Sequence, residues 1–380
     1  MSCLYGTTGV TLSFLPRWLA GARGLDGVEI GAVLALSQCA RILVGPALAF
    51  WADGAGDRRA PIRILAVAAA ASYAGFFFLA HGFVSLLLAG FLALSSMQAL
   101  TPLVEGALLR AADGGPFSYG LGRGLGSVSF IIANVAGGFL VARFGLAAVV
   151  AWVMSGLALT ALSSLLALSA DPPLAHASHM TRRARAEAVK GLLRNRRFII
   201  LIVACGLIQA AHAFYYGFST IIWRSQGVGA DTIGLLWAFG VGIEVIFLWS
   251  WPMLERRVRP EALIMLGAAG GVVRWTLLGL APLGPWLWPL QGLHALTFAA
   301  AHIGAMRLLY SETPDNAAAM AQTLYSTLSA GVLLGASTLL SGLLYDRVGA
   351  AGYWAMAVEA GLGGIVALAL FSPRAVAEPR

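Results

Sequence analysis

Apolar runs of roughly 20 residues follow one another along almost the whole chain, each the length a helix needs to cross about 30 Å of hydrocarbon. With 59% hydrophobic and only 11% charged residues among 380, a water-soluble fold could not cover its surface. No water satisfies peptide groups inside a bilayer, so spanning runs must be helices or strands of a closed barrel. Barrel strands would alternate with a period of two residues, and these runs do not. The expectation is an all-α membrane protein of twelve transmembrane helices.

The second half of the chain repeats the first. Gly24, Ile30 and Gly31 recur as Gly227, Ile233 and Gly234, an offset of 203 residues. Gly138-Phe-Leu140-Val-Ala-Arg143-Phe-Gly145 recurs as Gly342-Leu-Leu344-Tyr-Asp-Arg347-Val-Gly349, an offset of 204. Two distant segments in nearly one register indicate a duplication. The helices are thus expected in two pseudo-symmetric six-helix bundles, 1–170 and 198–380, joined by a cytoplasmic loop at 171–197. A duplicated membrane bundle in which one half moves against the other around a central site is the plan of a secondary transporter.

The net charge of +8 does not point to nucleic acid, because the basic residues lie in short loops between runs. Eighteen fall on the side of the central loop and five on the other, with Arg41 and Arg274 inside spans. That asymmetry places both termini and the central loop in the cytoplasm, across an inner membrane. The stretch from Arg182 to Arg194 reads as an amphipathic helix on the anionic inner leaflet. No cleavable signal peptide is visible. Cys3, Cys39 and Cys205 are scattered and read as packing residues. Gly120-Leu-Gly122-Arg-Gly124-Leu-Gly126 carries the small-xxx-small spacing of close helix packing. No Ser/His/Asp set, metal cluster or phosphate loop supports an enzyme. The expected partners are a small solute, a proton and the lipid bilayer, with no other cofactor, and the chain is expected to be a monomer.

Ionisable groups inside spans are costly, at about 2.5 kcal/mol or more near mid-membrane, and mark function by default. They are Arg41, Glu105, His212, Glu244, Arg274, His294, His302 and Glu359. Arg41 and Glu244 occupy corresponding positions of the second and eighth spans. Arg274 stays charged and needs an anion, either Glu244 or a solute carboxylate, unless it belongs to a permanent structural pair. His294 and His302 suit a proton relay. In an ideal helix they stand about 12 Å apart and about 80° around the axis, so both can face one side with Phe298 between, and each can equally be an interhelical hydrogen-bond donor. Glu105 is a second proton site or the partner of Arg110 or Arg123. Gln209, His212, Tyr215, Tyr216 and Trp237 offer polar groups and rings for an aromatic solute.

These residues carry a resemblance. Gly206-Leu-Ile-Gln209-Ala-Ala-His212-Ala-Phe-Tyr215-Tyr216-Gly217, Leu236-Trp237, Val241-Gly-Ile-Glu244, Gly271-Val-Val-Arg274-Trp275, Gln291-Gly-Leu-His294 and His302-Ile-Gly-Ala-Met-Arg307 resemble the 3-phenylpropionic acid transporter family of the major facilitator superfamily. The superfamily's gating-loop signature appears in part as Asp53, Gly56, Arg58 and Arg59. It lacks the basic residue that usually follows the acid. The fifth span lacks the proline of drug antiporters. Carboxylate, arginine and histidine on spans eight, nine and ten are similar to the proton-coupled oligosaccharide symporters, with Glu244, Arg274 and His294 or His302 at those positions. The resemblance implies proton symport of a small organic solute, with an aromatic monocarboxylate preferred. Glu244, His302, His294 and Glu105 would handle the proton, and Arg274 or Arg41 would meet the carboxylate. A sugar or nucleoside symporter, an efflux antiporter and a non-transporting sensor are the alternatives.

Overall fold

A computed structural model describes residues 1–54, 59–112, 118–167, 182–255, 257–313 and 317–371. Among them the chain forms twelve helical spans and no strand. Spans 1 to 6 are Ser2–Arg23, Gly27–Gly54, Arg59–Ala74 with its continuation Gly75–Leu79, Phe83–Ala112, Tyr119–Phe144 and Ala147–Leu166. The helix Arg182–Arg194 connects the halves. Span 7 is broken, Arg196–Ala210 then Ala213–Ser225. Spans 8 and 9 are Ala230–Leu254 and Pro260–Gly279. Span 10 comprises Leu287–Gly292, Ala295–Ala300 and Ala301–Glu312. Span 11 comprises Ala318–Ser326, Thr327–Leu333 and Leu334–Val348, and span 12 is Tyr353–Leu368. Eight described stretches are each long and apolar enough to cross a bilayer, and one of these, Met320–Phe371, contains two spans.

Local chemistry sets the ends. Ser118 accepts from Leu121 N at 3.2 Å to start span 5. Asn195 accepts from Arg197 N at 3.0 Å and Phe198 N at 3.3 Å to start span 7, which satisfies amides that have no helical partner. Gly24 and Gly227, partners in the repeat, both take positive φ, 69° and 86°, a conformation that a Cβ disfavours. The connecting helix has the bounds expected from sequence, and its Leu192 is buried with Phe198 in the core of the second half.

The duplication is visible in the packing. Span 1 packs on spans 5 and 6, span 3 on spans 4 and 6, and span 2 on span 4. The same pairs recur as 7 with 11 and 12, 9 with 10 and 12, and 8 with 10. The halves meet through span 2 on span 11, span 5 on span 8 and span 1 on span 7.

Those seams close one end of the molecule, the far face, opposite the end where spans 6 and 7 are joined. A Cβ on Gly31 would stand 3.0 Å from Thr338 O and 3.1 Å from Gly342 Cα. A Cβ on Gly138 would stand 2.6 Å from Ala230 O and 3.0 Å from Gly234 Cα. Gly31 and Gly234 correspond in the repeat, as do Gly138 and Gly342. The repeated glycines are therefore the places where the two backbones touch. Asp346 adds a polar lock to one seam: Oδ1 accepts from Gly27 N at 2.7 Å and Oδ2 from Val28 N at 2.8 Å, placing a carboxylate on the positive end of span 2. Its repeat counterpart is Ala142, so the other seam lacks the lock. Toward the near face Glu105, Arg123 and His302 remain solvent-accessible. The conformation is closed at the far face and reachable from the near one.

Candidate functional site

Arg274 of span 9 is completely buried, at 0% exposure. Its Nη1 donates to His294 Nδ1 at 3.0 Å and to Thr297 Oγ1 at 3.1 Å, and its Nη2 donates to Gln291 Oε1 at 3.1 Å. The guanidinium also lies 4.7 Å from the Tyr215 ring centroid and 4.6 Å from that of Trp275, favourable placements for a desolvated cation. Tyr215 OH donates to the same Gln291 Oε1 at 2.8 Å.

These bonds fix the tautomers. A guanidinium has no acceptor, so His294 Nδ1 accepts and the neutral ring carries its hydrogen on Nε2. That nitrogen faces Glu244 Oε2 at 3.3 Å. Sequence reasoning gave Arg274 two possible partners, Glu244 or a solute. The structure interposes His294, so carboxylate, imidazole and guanidinium form a chain across spans 8, 10 and 9. His212 Nδ1 lies 3.1 Å from Gln209 O, a pure acceptor, so it carries the hydrogen. Its Nε2 then accepts from the Thr297 hydroxyl at 3.0 Å. Thr297 thus ties His212 and Arg274 together.

Span 10 is not a uniform α-helix. Ala295–Ala300 is a π-helical stretch, whose i→i+5 bonding widens the turn. The rings of His294, Phe298 and His302 consequently stack in one column, with centroids 5.4 and 6.1 Å apart and planes within 19° and 11°. Both histidines thus face one side of the span, with Phe298 between them. The break in span 7 falls at His212, which lets its ring meet Trp275 and His294 edge-on at 5.1 and 5.7 Å.

Access differs along the chain of groups. Arg274, His212, Tyr215 and Trp237 are enclosed, whereas Gln209 and Tyr216 are partly open. Glu244 keeps 16% of its side chain accessible. His302 is exposed and opens into a near-face recess of about 650 Å³ lined also by Met306, Arg307 and Tyr310.

The first half contributes a second cluster around Glu105, in which sequence reasoning missed Tyr5 and Ser127. Arg123 Nε of span 5 lies 3.4 Å from Glu105 Oε1 of span 4, with 40% and 33% of the two side chains exposed. Tyr5 OH of span 1 donates to the same Glu105 oxygen. The Arg123 guanidinium sits 4.8 Å from the Tyr5 ring centroid and donates to Ser127 Oγ at 2.9 Å. Arg123 stands within electrostatic range of Glu244 on the opposite half. Of the two partners expected for Glu105, Arg123 is observed, and the side chain of Arg110 lies outside the described residues. Glu359 accepts from Ser337 Oγ at 2.5 Å, away from both clusters. The side chains of Arg41 and Asp53, and all of Arg58, lie outside the described residues, and Arg59 heads span 3.

Residues 3–356 match the model of the MFS_1 like family. This chain belongs to the major facilitator superfamily. The transporter is 32% identical over 354 residues, 93% of its length and 91% of the relative's, to a protein of Escherichia coli (strain K12) named "Probable 3-phenylpropionic acid transporter". It is 26% identical over 344 residues, 89% and 84% of the two lengths, to the maltose permease of Geobacillus stearothermophilus. Its fold matches the crystal structure of a mutant form of the nucleoside transporter NupG with a TM-score of 0.86 over 98% of each chain, at 16% identity. A bacterial homolog of the human lysosomal transporter Spinster, solved inward-facing and unoccupied, matches with a TM-score of 0.71 over 97% and 92% of the chains, at 13% identity. The transporter is a multi-pass membrane protein of the secondary-transport class.

Proposed function

We propose that this transporter is a proton symporter of the inner membrane that imports a small aromatic monocarboxylate as a monomer, with its near face and both termini in the cytoplasm. The observation that carries this reading is the unbroken sequence of polar contacts from partly accessible Glu244 through His294 to buried Arg274, opposite accessible Arg123. Glu244 is the most accessible member of that chain and also reports its state inward, because His294 Nε2–H points at it.

Arg123 takes the solute carboxylate in this reading, since Arg274 is enclosed and both of its Nη groups already donate within the cluster. Tyr216 and Tyr5 flank the route with rings for stacking. A carboxylate drawn to Arg123 enters electrostatic range of Glu244, so anion and proton binding assist each other, and the assistance is reciprocal. One proton with one anion is electroneutral. Each pH unit then contributes about 1.4 kcal/mol, or roughly tenfold accumulation.

The Glu105–Arg123 pair favours a second reading. An ion pair that already neutralises itself offers donors and acceptors to hydroxyl groups, as a sugar or nucleoside would require. Such symport carries net charge and gains about 2.3 kcal/mol per 100 mV. Uptake of radiolabelled 3-phenylpropionate into proteoliposomes, under imposed pH and voltage gradients separately, decides. Accumulation that follows pH and ignores voltage supports the monocarboxylate. Sodium-driven, pH-independent uptake refutes proton coupling.

A further inference from the structure

Two far-face arginines, Arg17 and Arg224, meet at a seam between the halves and have no acidic partner among the described residues. Arg17 of span 1 has a buried Nη1 without a hydrogen-bond partner, and Arg224 at the end of span 7 is exposed. Both are brought together by one contact. The Thr220 hydroxyl donates to Ser13 O at 2.6 Å across the span 1–span 7 seam. Spans 1 and 7 run in the same direction, and Arg17 and Arg224 each lie four residues beyond that bond. Each guanidinium therefore stems from the next turn, about 6 Å further toward the far face, and the two charges lie within Coulombic reach of each other.

The far-face acids are occupied elsewhere. Asp26 and Glu29 cap each other's amides at 2.8 and 3.2 Å. Asp346 holds the start of span 2, and Asp231 lies in the first turn of span 8. Among the described residues none forms an ion pair with Arg17 or Arg224. Like charges brought together across a closed seam without an anion destabilise that closure. The span 2–span 11 and span 5–span 8 seams also join the two halves at this face.

We propose that Arg17 and Arg224 form a second anion site, at the far-face mouth, that takes a dissolved small monocarboxylate bridging the two halves. Arg17 supplies a donor already stripped of water, and Arg224 supplies the exposed arm that first meets the anion. Because the two arginines belong to different halves, the bound carboxylate favours the far-closed conformation. Identification of that anion with the transported solute rests on the monocarboxylate reading above. The site itself rests on the arginines.

The test is isothermal titration of the full-length protein in nanodiscs with 3-phenylpropionate, with 3-phenylpropan-1-ol as the neutral control. The central site is weakened by Arg123→Gln. Saturable binding of the acid and none of the alcohol is expected. Arg17→Gln or Arg224→Gln should each weaken the acid by about tenfold or more, as expected for loss of a charged hydrogen bond, and Arg17→Lys should restore part of it. Circular dichroism of each variant confirms the helical fold. Binding indifferent to both arginines, or equal binding of the alcohol, overturns the proposal. Loss of binding on adding phosphatidylglycerol to zwitterionic discs also overturns it, by assigning the site to lipid phosphate. Uptake by the unsubstituted protein keeps the two readings separate: absent transport there, with arginine-dependent binding intact, sinks the function and leaves this site standing.

Discussion

Removal of the Asp346 carboxylate should open the far face. In the observed conformation it accepts from Gly27 N at 2.7 Å and Val28 N at 2.8 Å, and separation of spans 2 and 11 would break both bonds. Loss of a helix cap costs about 0.5–2 kcal/mol, and the interaction of a charge with the helix terminus adds about 0.3–1 kcal/mol. A bias of about 2 kcal/mol is therefore removed from the far-closed state alone, which shifts the ratio of conformations by about 30-fold. Asp346→Asn keeps one acceptor without the charge and should shift it less. Spin labels on Val84→Cys and Leu283→Cys, exposed at the far ends of opposite halves, report the opening by pulsed dipolar spectroscopy. Cys3, Cys39 and Cys205 are first replaced by Ser. The expected result is growth of a longer-distance population in Asp346→Ala. An unchanged distribution, or an equal shift in the neighbouring control Arg347→Ala, refutes the lock.

Glu244→Gln should abolish accumulation driven by a pH gradient while sparing solute exchange at equal pH, as read by counterflow; loss of both would make Glu244 a binding or structural group. Arg123→Gln should raise the KM for 3-phenylpropionate about tenfold or more, because a charged hydrogen bond is lost, whereas an unchanged KM removes Arg123 from the solute path. Thr297→Val strands buried groups on His212 and Arg274, at about 1–3 kcal/mol for each unsatisfied group. Thermal denaturation in detergent should show a clear fall for this variant and recovery in Thr297→Ser, which keeps the hydroxyl.

Much of the fold was legible because a bilayer leaves a chain few choices. Run length gave the spans, and the repeat gave the halves. The glycines that revealed the duplication proved to be its points of contact, which spacing alone did not indicate. The site was legible in residue identity but not in wiring. Glu244, Arg274 and His294 stood out because charge inside an apolar run is conspicuous. Gln291 and Thr297 did not, since uncharged polar groups in a span are ordinary. The π-helical stretch in span 10 leaves no mark in a run of Ala, Leu, Thr and Phe. Arg123 was legible as a partner of Glu105 on the next span, whereas Tyr5 was not, because sequence order does not relate span 1 to spans 4 and 5.

The glycine seams also speak to ancestry. Gly31 meets Gly342, the repeat counterpart of Gly138, and Gly138 meets Gly234, the counterpart of Gly31. Both unions join the same two ancestral positions, so a single unduplicated half already carries both members of the contact. Two copies of such a half, related by a dyad, would have formed both joints at once, and gene fusion needed only a tether between surfaces that already fitted.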